Sequence, residues 1–238
     1  MEQNVLHKAS DRFSADHGWL RSAQTFSFHG NYNPERIQFG ALRVLNDDTV
    51  NGGKGFGEHP HDNMEIISIP LEGTLEHQDS MGKRALIRPG EIQVMSAGTG
   101  IYHTEFNKNE DEPVRFLQIW LYPNKLNVAP RYDQQNFEAG DKHNRFLQIL
   151  SPDPNDEGVW IYQRAWFHIG EFDKDFATGY ELKDSENGLY IFVIEGDIEV
   201  DGQVLNRRDG FGIRPVKPVG FKAVSKATVL LMEVPLKW

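Results

Sequence analysis

The chain carries two clusters of metal-ligating side chains at i, i+2 spacing: His59-Pro60-His61, with Glu65 four residues beyond, and His103-Thr104-Glu105 about forty residues further on. In extended backbone that interval places both side chains of a cluster on one face, about 7 Å apart, so one ion between neighbouring strands can reach both clusters. Pro60 favours this geometry, because it fixes its own φ and biases His59 toward an extended conformation. Three imidazoles and one carboxylate form a borderline donor set that suits Fe(II), Mn(II), Co(II), Ni(II), Cu(II) or Zn(II). Four protein ligands on an ion that prefers six leave two positions for substrate or oxygen, which points to catalysis rather than a closed structural site. Spacing leaves the carboxylate open between Glu65 and Glu105; if Glu105 completes the site, Glu65 is an acceptor behind the ligands or a cross-strand partner. His7, His17, His29, His77, His143 and His168 carry no ligand assignment, although His77 and Asp79 could line the same cavity.

Other chemistries find little support. There is no cysteine, which removes disulfides, thiolate nucleophiles and Cys-based zinc sites together. Gly52-Gly53-Lys54-Gly55-Phe56-Gly57 has the glycine content of a phosphate loop. It lacks a Ser or Thr after Lys54 and a following helix, so it reads as a flexible lead into the first histidine pair. Neither Ser27 nor Ser96 sits in a nucleophile elbow. Asp and Glu number 35 against 25 Lys and Arg, and the net charge of −10 repels nucleic acid and anionic lipid alike. The N-terminus holds no apolar stretch like a signal-peptide core, and no segment approaches membrane-spanning length; the expectation is a soluble, cytoplasmic protein.

The elements that must position these residues read as strands. With 22 Gly and 12 Pro among the 238 residues, sustained helical periodicity is scarce, while Val, Ile, Phe and Tyr recur in short runs. Strands are expected at Phe39–Leu45, Glu65–His77, Ala85–Ile87, Glu91–Met95 and Phe116–Leu121. In the second half they are expected at Arg145–Leu150, Trp160–Ile169, Leu189–Val200, Phe211–Ile213 and Ala227–Val234. The two series superpose: Glu72-Gly73 aligns with Glu195-Gly196, each glycine at a turn, and an apolar strand closes each half. An internal duplication of a β-barrel unit accounts for this, with a connector over 124–144 and a boundary near residue 135.

At these residues the sequence resembles the pirin family, a branch of the cupin superfamily, and especially its bacterial members described as quercetin 2,3-dioxygenases. The resemblance rests on Thr25-Phe26-Ser27-Phe28-His29, on the run from Phe39 to Asp48, and on Gly55-Phe56-Gly57-Glu58-His59-Pro60-His61. His77-Gln78-Asp79-Ser80-Met81-Gly82 and the run from Met95 to Glu105 complete it. It is dense from about residue 10 to 123 and continues beyond in outline. It implies an all-β bicupin, two jelly-roll-like β-barrel domains packed together: a metal-binding domain over 1–135 and a cupin-like domain without a metal site over 136–238. It further implies that His59, His61, His103 and Glu105 hold one divalent transition metal, iron first and Zn, Cu, Co, Mn or Ni as alternatives, leaving Glu65 outside. The repeat puts Leu182 and Asp184 where His59 and His61 stand. The implied activity is cleavage of a flavonol such as quercetin by O2 with release of carbon monoxide, Glu105 acting as catalytic base. The partners are then a flat aromatic substrate and O2; a monomer is expected because the internal duplication supplies the packing that single cupins find in dimers. The alternative is a non-catalytic, metal-dependent regulator of a protein partner.

Overall fold

The computed structural model describes residues 4–214 and 217–237. Nearly all regular structure in it is β, as the glycine and proline punctuation implies, with two single-turn 3-10 helices at Ala9–Asp11 and Ala139–Lys142. Among the described residues no helix is long and apolar enough to cross a membrane. Among the described strands every pairing but one is antiparallel.

The strands form four sheets. The inner sheet of the first half runs β12 (Arg131–Asn136), β9 (Glu91–Ser96), β6 (Glu65–Glu72), β11 (Val114–Leu121), β4 (Leu42–Val50), β3 (Leu20–Gln24), β2 (Phe13–Asp16). Its outer sheet runs β5 (Gly55–His61), β10 (Ile101–Asn107), β7 (Leu75–Asp79), β8 (Arg84–Ile87). The inner sheet of the second half runs β1 (Val5–His7), β20 (Gly210–Ile213), β17 (Asn187–Glu195), β22 (Ala227–Pro235), β15 (Trp166–Phe172), β13 (Leu147–Ser151), β14 (Val159–Trp160). Its outer sheet runs β16 (Ala177–Tyr180), β21 (Val219–Ala223), β18 (Ile198–Val200), β19 (Gln203–Leu205).

The expected barrels do not close. Each half is a pair of facing open sheets, because the chain breaks its hydrogen-bond ladder wherever it passes from inner to outer sheet. Gly73, at φ +76°, turns β6 out of the inner sheet into β7 of the outer one, and Gly196, at φ +74°, does the same between β17 and β18. The matching angles are the structural trace of the duplication. Gly98 and Gly100, at φ +50° and +130°, carry β9 over to β10. A backbone turned this sharply leaves the edge of one sheet instead of bending the ladder around a cylinder.

Other differences from the expected strands come from these corners, from turns within a sheet and from pairing at sheet edges. Glu65–His77 is two strands split at Gly73, and Trp160–Ile169 is divided by a turn between β14 and β15. The polar stretch expected as a connector contains β12, which edges the first inner sheet by pairing with β9. The glycine-rich lead is strand from Gly55 onward. Three strands form before residue 25, and β1 pairs with β20 in the second half.

The two inner sheets pack against each other across one continuous apolar layer that includes Leu45, Ile67 and Ile119 from the first half and Phe167, Phe192 and Leu230 from the second. Ion pairs brace its margin: Asp47 receives Arg208 Nε at 2.9 Å across the interface and lies 3.7 Å from Arg12 Nη2. Phe167→Ala is expected to lower stability by roughly 3–5 kcal/mol, and both halves should still unfold in one urea transition. Separate transitions for tryptophan fluorescence and circular dichroism would show instead that each half stands alone.

Candidate metal centre

β5 and β10 pair antiparallel with His103 opposite His59 and Ile101 opposite His61, and the register slips between His103 and Glu105, so that Glu105 faces Phe56. Along β10 the alternation puts Ile101, His103, Glu105 and Asn107 inward and Tyr102 and Phe106 outward. His59 and His61, half-buried on the edge strand β5, meet buried His103 there. The ring centroids are 4.4 Å apart for His59 and His103 and 4.9 Å for each of the other two pairs. One nitrogen from each lies within 4.8 Å of the others, a cluster able to coordinate a metal ion.

The protonation chemistry fits such an ion. Burial, then the neighbouring His59, lowers the His61 pKa to about 4; burial, then His59, His61 and His77, lowers that of His103 to about 2. Both are therefore neutral imidazoles at pH 7, the ligating form. His59 Nδ1 lies 2.7 Å from the Gly57 carbonyl oxygen and must donate to it, which frees Nε2. His103 Nε2 is buried and has no hydrogen-bond partner. A buried lone pair of that kind is costly unless something accepts it, and a cation does.

Glu105 stands apart from the three rings in its hydrogen bonding. Its carboxylate accepts from Ser68 Oγ at 3.0 Å and from Gln118 Nε2 at 2.7 Å, and only 2 % of the residue is exposed. Burial pushes the carboxyl up to about 7 against the lowering effect of those two bonds. Both donors belong to a polar row in register across the inner sheet: Gln24, Asn46, Gln118, Ser68, Gln93 and Gln134. The next row along is apolar and aromatic, with Val44, Trp120, Ile66, Met95 and Tyr132. Trp120 packs edge-on to His61 at 4.9 Å and to Phe28 at 5.3 Å.

Glu65 lies on the opposite face of that sheet. It is three residues from Ser68 along β6, an odd interval that inverts the side chain, and it shares its face with Ile67 and Ile69 of the inter-sheet core. There Ser96 Oγ donates to it at 2.7 Å, and burial raises its pKa to about 7. In the second half Leu182 packs beside that half's apolar core, and Asp184 donates its backbone amide to Glu233. One pair near the centre carried no assignment: His77 and Asp79, both buried on β7, stand beside His103 and Glu105. The detectable signal was their own i, i+2 spacing.

Paired sheets in a duplicated, cupin-like β fold, with a histidine cluster between the strands of one outer sheet, define a metal-binding cupin. The pirin family profile matches residues 6–121, and a profile described as the quercetinase C-terminal cupin domain matches residues 148–234. The chain is 40 % identical to a quercetin 2,3-dioxygenase of Escherichia coli K12 over 97 % of its length and 98 % of that protein's. It is 37 % identical to a pirin-like protein of Caulobacter vibrioides over 92 % and 94 %. The crystal structure of the bacterial pirin YhhW from Escherichia coli in complex with nickel(II) superposes with a TM-score of 0.92 at 38 % identity, covering 98 % of this chain and 99 % of that one. The protein belongs to the pirin family of the cupin superfamily, and it is an enzyme of that family.

A second buried acid near the polar row gives a pH test. Burial raises Asp48 from 3.8 to about 7, with Ser22 opposing and Glu105 adding to the rise. Between those values the unfolded chain has lost the proton that the folded one keeps, so stability falls as pH climbs through this window. Asp48→Asn removes that penalty: the variant should match the wild type near pH 4 and exceed it by a few kcal/mol at pH 8, read from urea midpoints. A constant difference at both pH values would mean that Asp48 is not protonated in the fold.

Proposed function

We propose that this enzyme cleaves flavonols such as quercetin with O2, releasing carbon monoxide, at a metal centre held by His59, His61, His103 and Glu105. The observation that carries the reading is the convergence of three imidazoles, with burial holding those of His61 and His103 neutral, beside a buried carboxyl group whose pKa lies near neutrality. The quercetin 2,3-dioxygenase of Escherichia coli, matched along nearly the whole chain, supports the reaction class.

When bound, a divalent transition ion, iron in this reading, would supply a Lewis-acidic charge for the substrate's 3-oxygen. His59, His61 and His103 would hold it, with Glu105 completing the set. Glu105 also takes the 3-hydroxyl proton onto an oxygen otherwise bonded by Ser68 or Gln118. A carboxyl group raised toward neutrality suits that role, since it can accept and return a proton at working pH. Trp120 and Phe28 give the neighbourhood of His61 an aromatic edge that suits a flat ring system. Overall, both atoms of O2 enter the opened product as the heterocycle loses one carbon as CO.

Oxygen uptake with quercetin tests the reading. Metal-loaded wild type should turn over, and His59→Ala should lose essentially all of that rate. Glu105→Gln should retain part of its metal but fall about 100-fold or more in rate. Equal rates for wild type and His59→Ala would sink the catalytic proposal, and an unchanged rate for Glu105→Gln would remove Glu105 as the base.

A further inference from the structure

The buried pair on β7 has an arrangement that fixes the position of a proton. Asp79 Oδ1 accepts from the backbone amides of Met81 at 2.9 Å and Lys83 at 3.1 Å, which anchors the carboxylate at the end of the strand. Its other oxygen, Oδ2, lies 2.9 Å from His77 Nε2. His77 in turn places Nδ1 3.4 Å from His103 Nδ1, and the Tyr132 ring packs against its imidazole at 4.8 Å. Neither the His77 nor the Asp79 side chain is exposed to solvent.

A carboxylate accepts and cannot donate, so the proton between Asp79 and His77 belongs to His77 Nε2. A neutral imidazole protonated at Nε2 has a bare Nδ1, which can only accept. The hydrogen bond between the two imidazoles is then donated by His103 Nδ1, and His103 Nε2 is left without a proton. That is the atom the fold buries without a hydrogen-bond partner, on a ring that also packs against His59 and His61. One anchored carboxylate therefore sets two tautomers in sequence.

We propose that Asp79 and His77 are positioning residues for the metal centre: through two hydrogen bonds they hold His103 as the Nδ1-protonated tautomer, with Nε2 presented to the ion. The inference rests on the reading of His103 as a metal ligand. Partners behind a liganding histidine typically change metal affinity 10–100-fold when removed. Asp79→Asn nearly preserves volume but supplies a donor as well as an acceptor. It lets His77 take the opposite tautomer, which would protonate His103 at Nε2. His77→Leu deletes the link, whereas His77→Gln restores a group with one acceptor and one donor.

The test is calorimetric titration of the full-length apoprotein with nickel(II), with long-range 1H–15N spectra of the imidazole rings. Asp79→Asn and His77→Leu should weaken binding 10–100-fold, and His77→Gln should recover much of it. The apo spectrum should show His103 protonated at Nδ1 and His77 at Nε2. Wild-type affinity in both Asp79→Asn and His77→Leu, or an Nε2-protonated His103, would overturn the assignment. His103→Ala separates the two layers. Its loss of binding alongside unchanged Asp79→Asn and His77→Leu would condemn the relay alone, and its retention of wild-type binding would overturn both the ligand reading and the relay.

Discussion

The two inner sheets bury both of their faces, and this constraint governs much of the molecule. Each must match the opposite inner sheet on one side and its own outer sheet on the other, so its strands cannot alternate cleanly between apolar and polar residues. In β17 all residues but the last are buried, and in β22 all but one. The outer sheets keep a solvent face, and there the alternation survives, as in β7 and β10. It is this surviving alternation that sorts side chains into inward and outward sets and so turns His103, Glu105, His77 and Asp79 toward one interior.

The duplicated halves spend their interiors differently. In the second half an apolar cluster fills the space between the sheets, and the fully buried carboxylate of Glu233 is satisfied by the Tyr180 hydroxyl, the Asn187 amide and the backbone amides of Lys183 and Asp184. In the first half the apolar contacts between inner and outer sheet are confined to two small clusters. Between and around them lie the polar row, the buried acids and the imidazoles. One copy thus keeps a stabilising core, while the other trades apolar packing for groups whose charge state and orientation can be put to chemical use.

His59, His61 and His103 were legible because two residues along a strand always share a face, whatever sheet the strand joins. The choice between Glu65 and Glu105 was not, because parity has meaning only once a strand's inward residue is known. For β6 that residue is Ser68, three positions from Glu65. His77 and Asp79 could be placed near the cavity but not assigned a role, because a strand read as ending at His77 leaves its partner outside, whereas the break actually falls at Gly73 and both residues lie in β7. The barrels failed for a related reason. Strand positions and turn glycines mark where the chain changes direction but carry no information on whether the ladder continues around the corner. The three-residue β1 is too short to show a period, and its partner is set by contacts with a segment about two hundred residues away.

That last pairing orders events during synthesis. Val5, Leu6 and His7 find their strand partners in Gly212, Phe211 and Gly210, and Lys8 and the amide of Ala9 bond Asp209. A ribosome must therefore release residues 209–212 before residues 5–9 have anywhere to dock. Residues 5–9 are thus among the last to be fixed, and they fasten the earlier half to the edge of the later one.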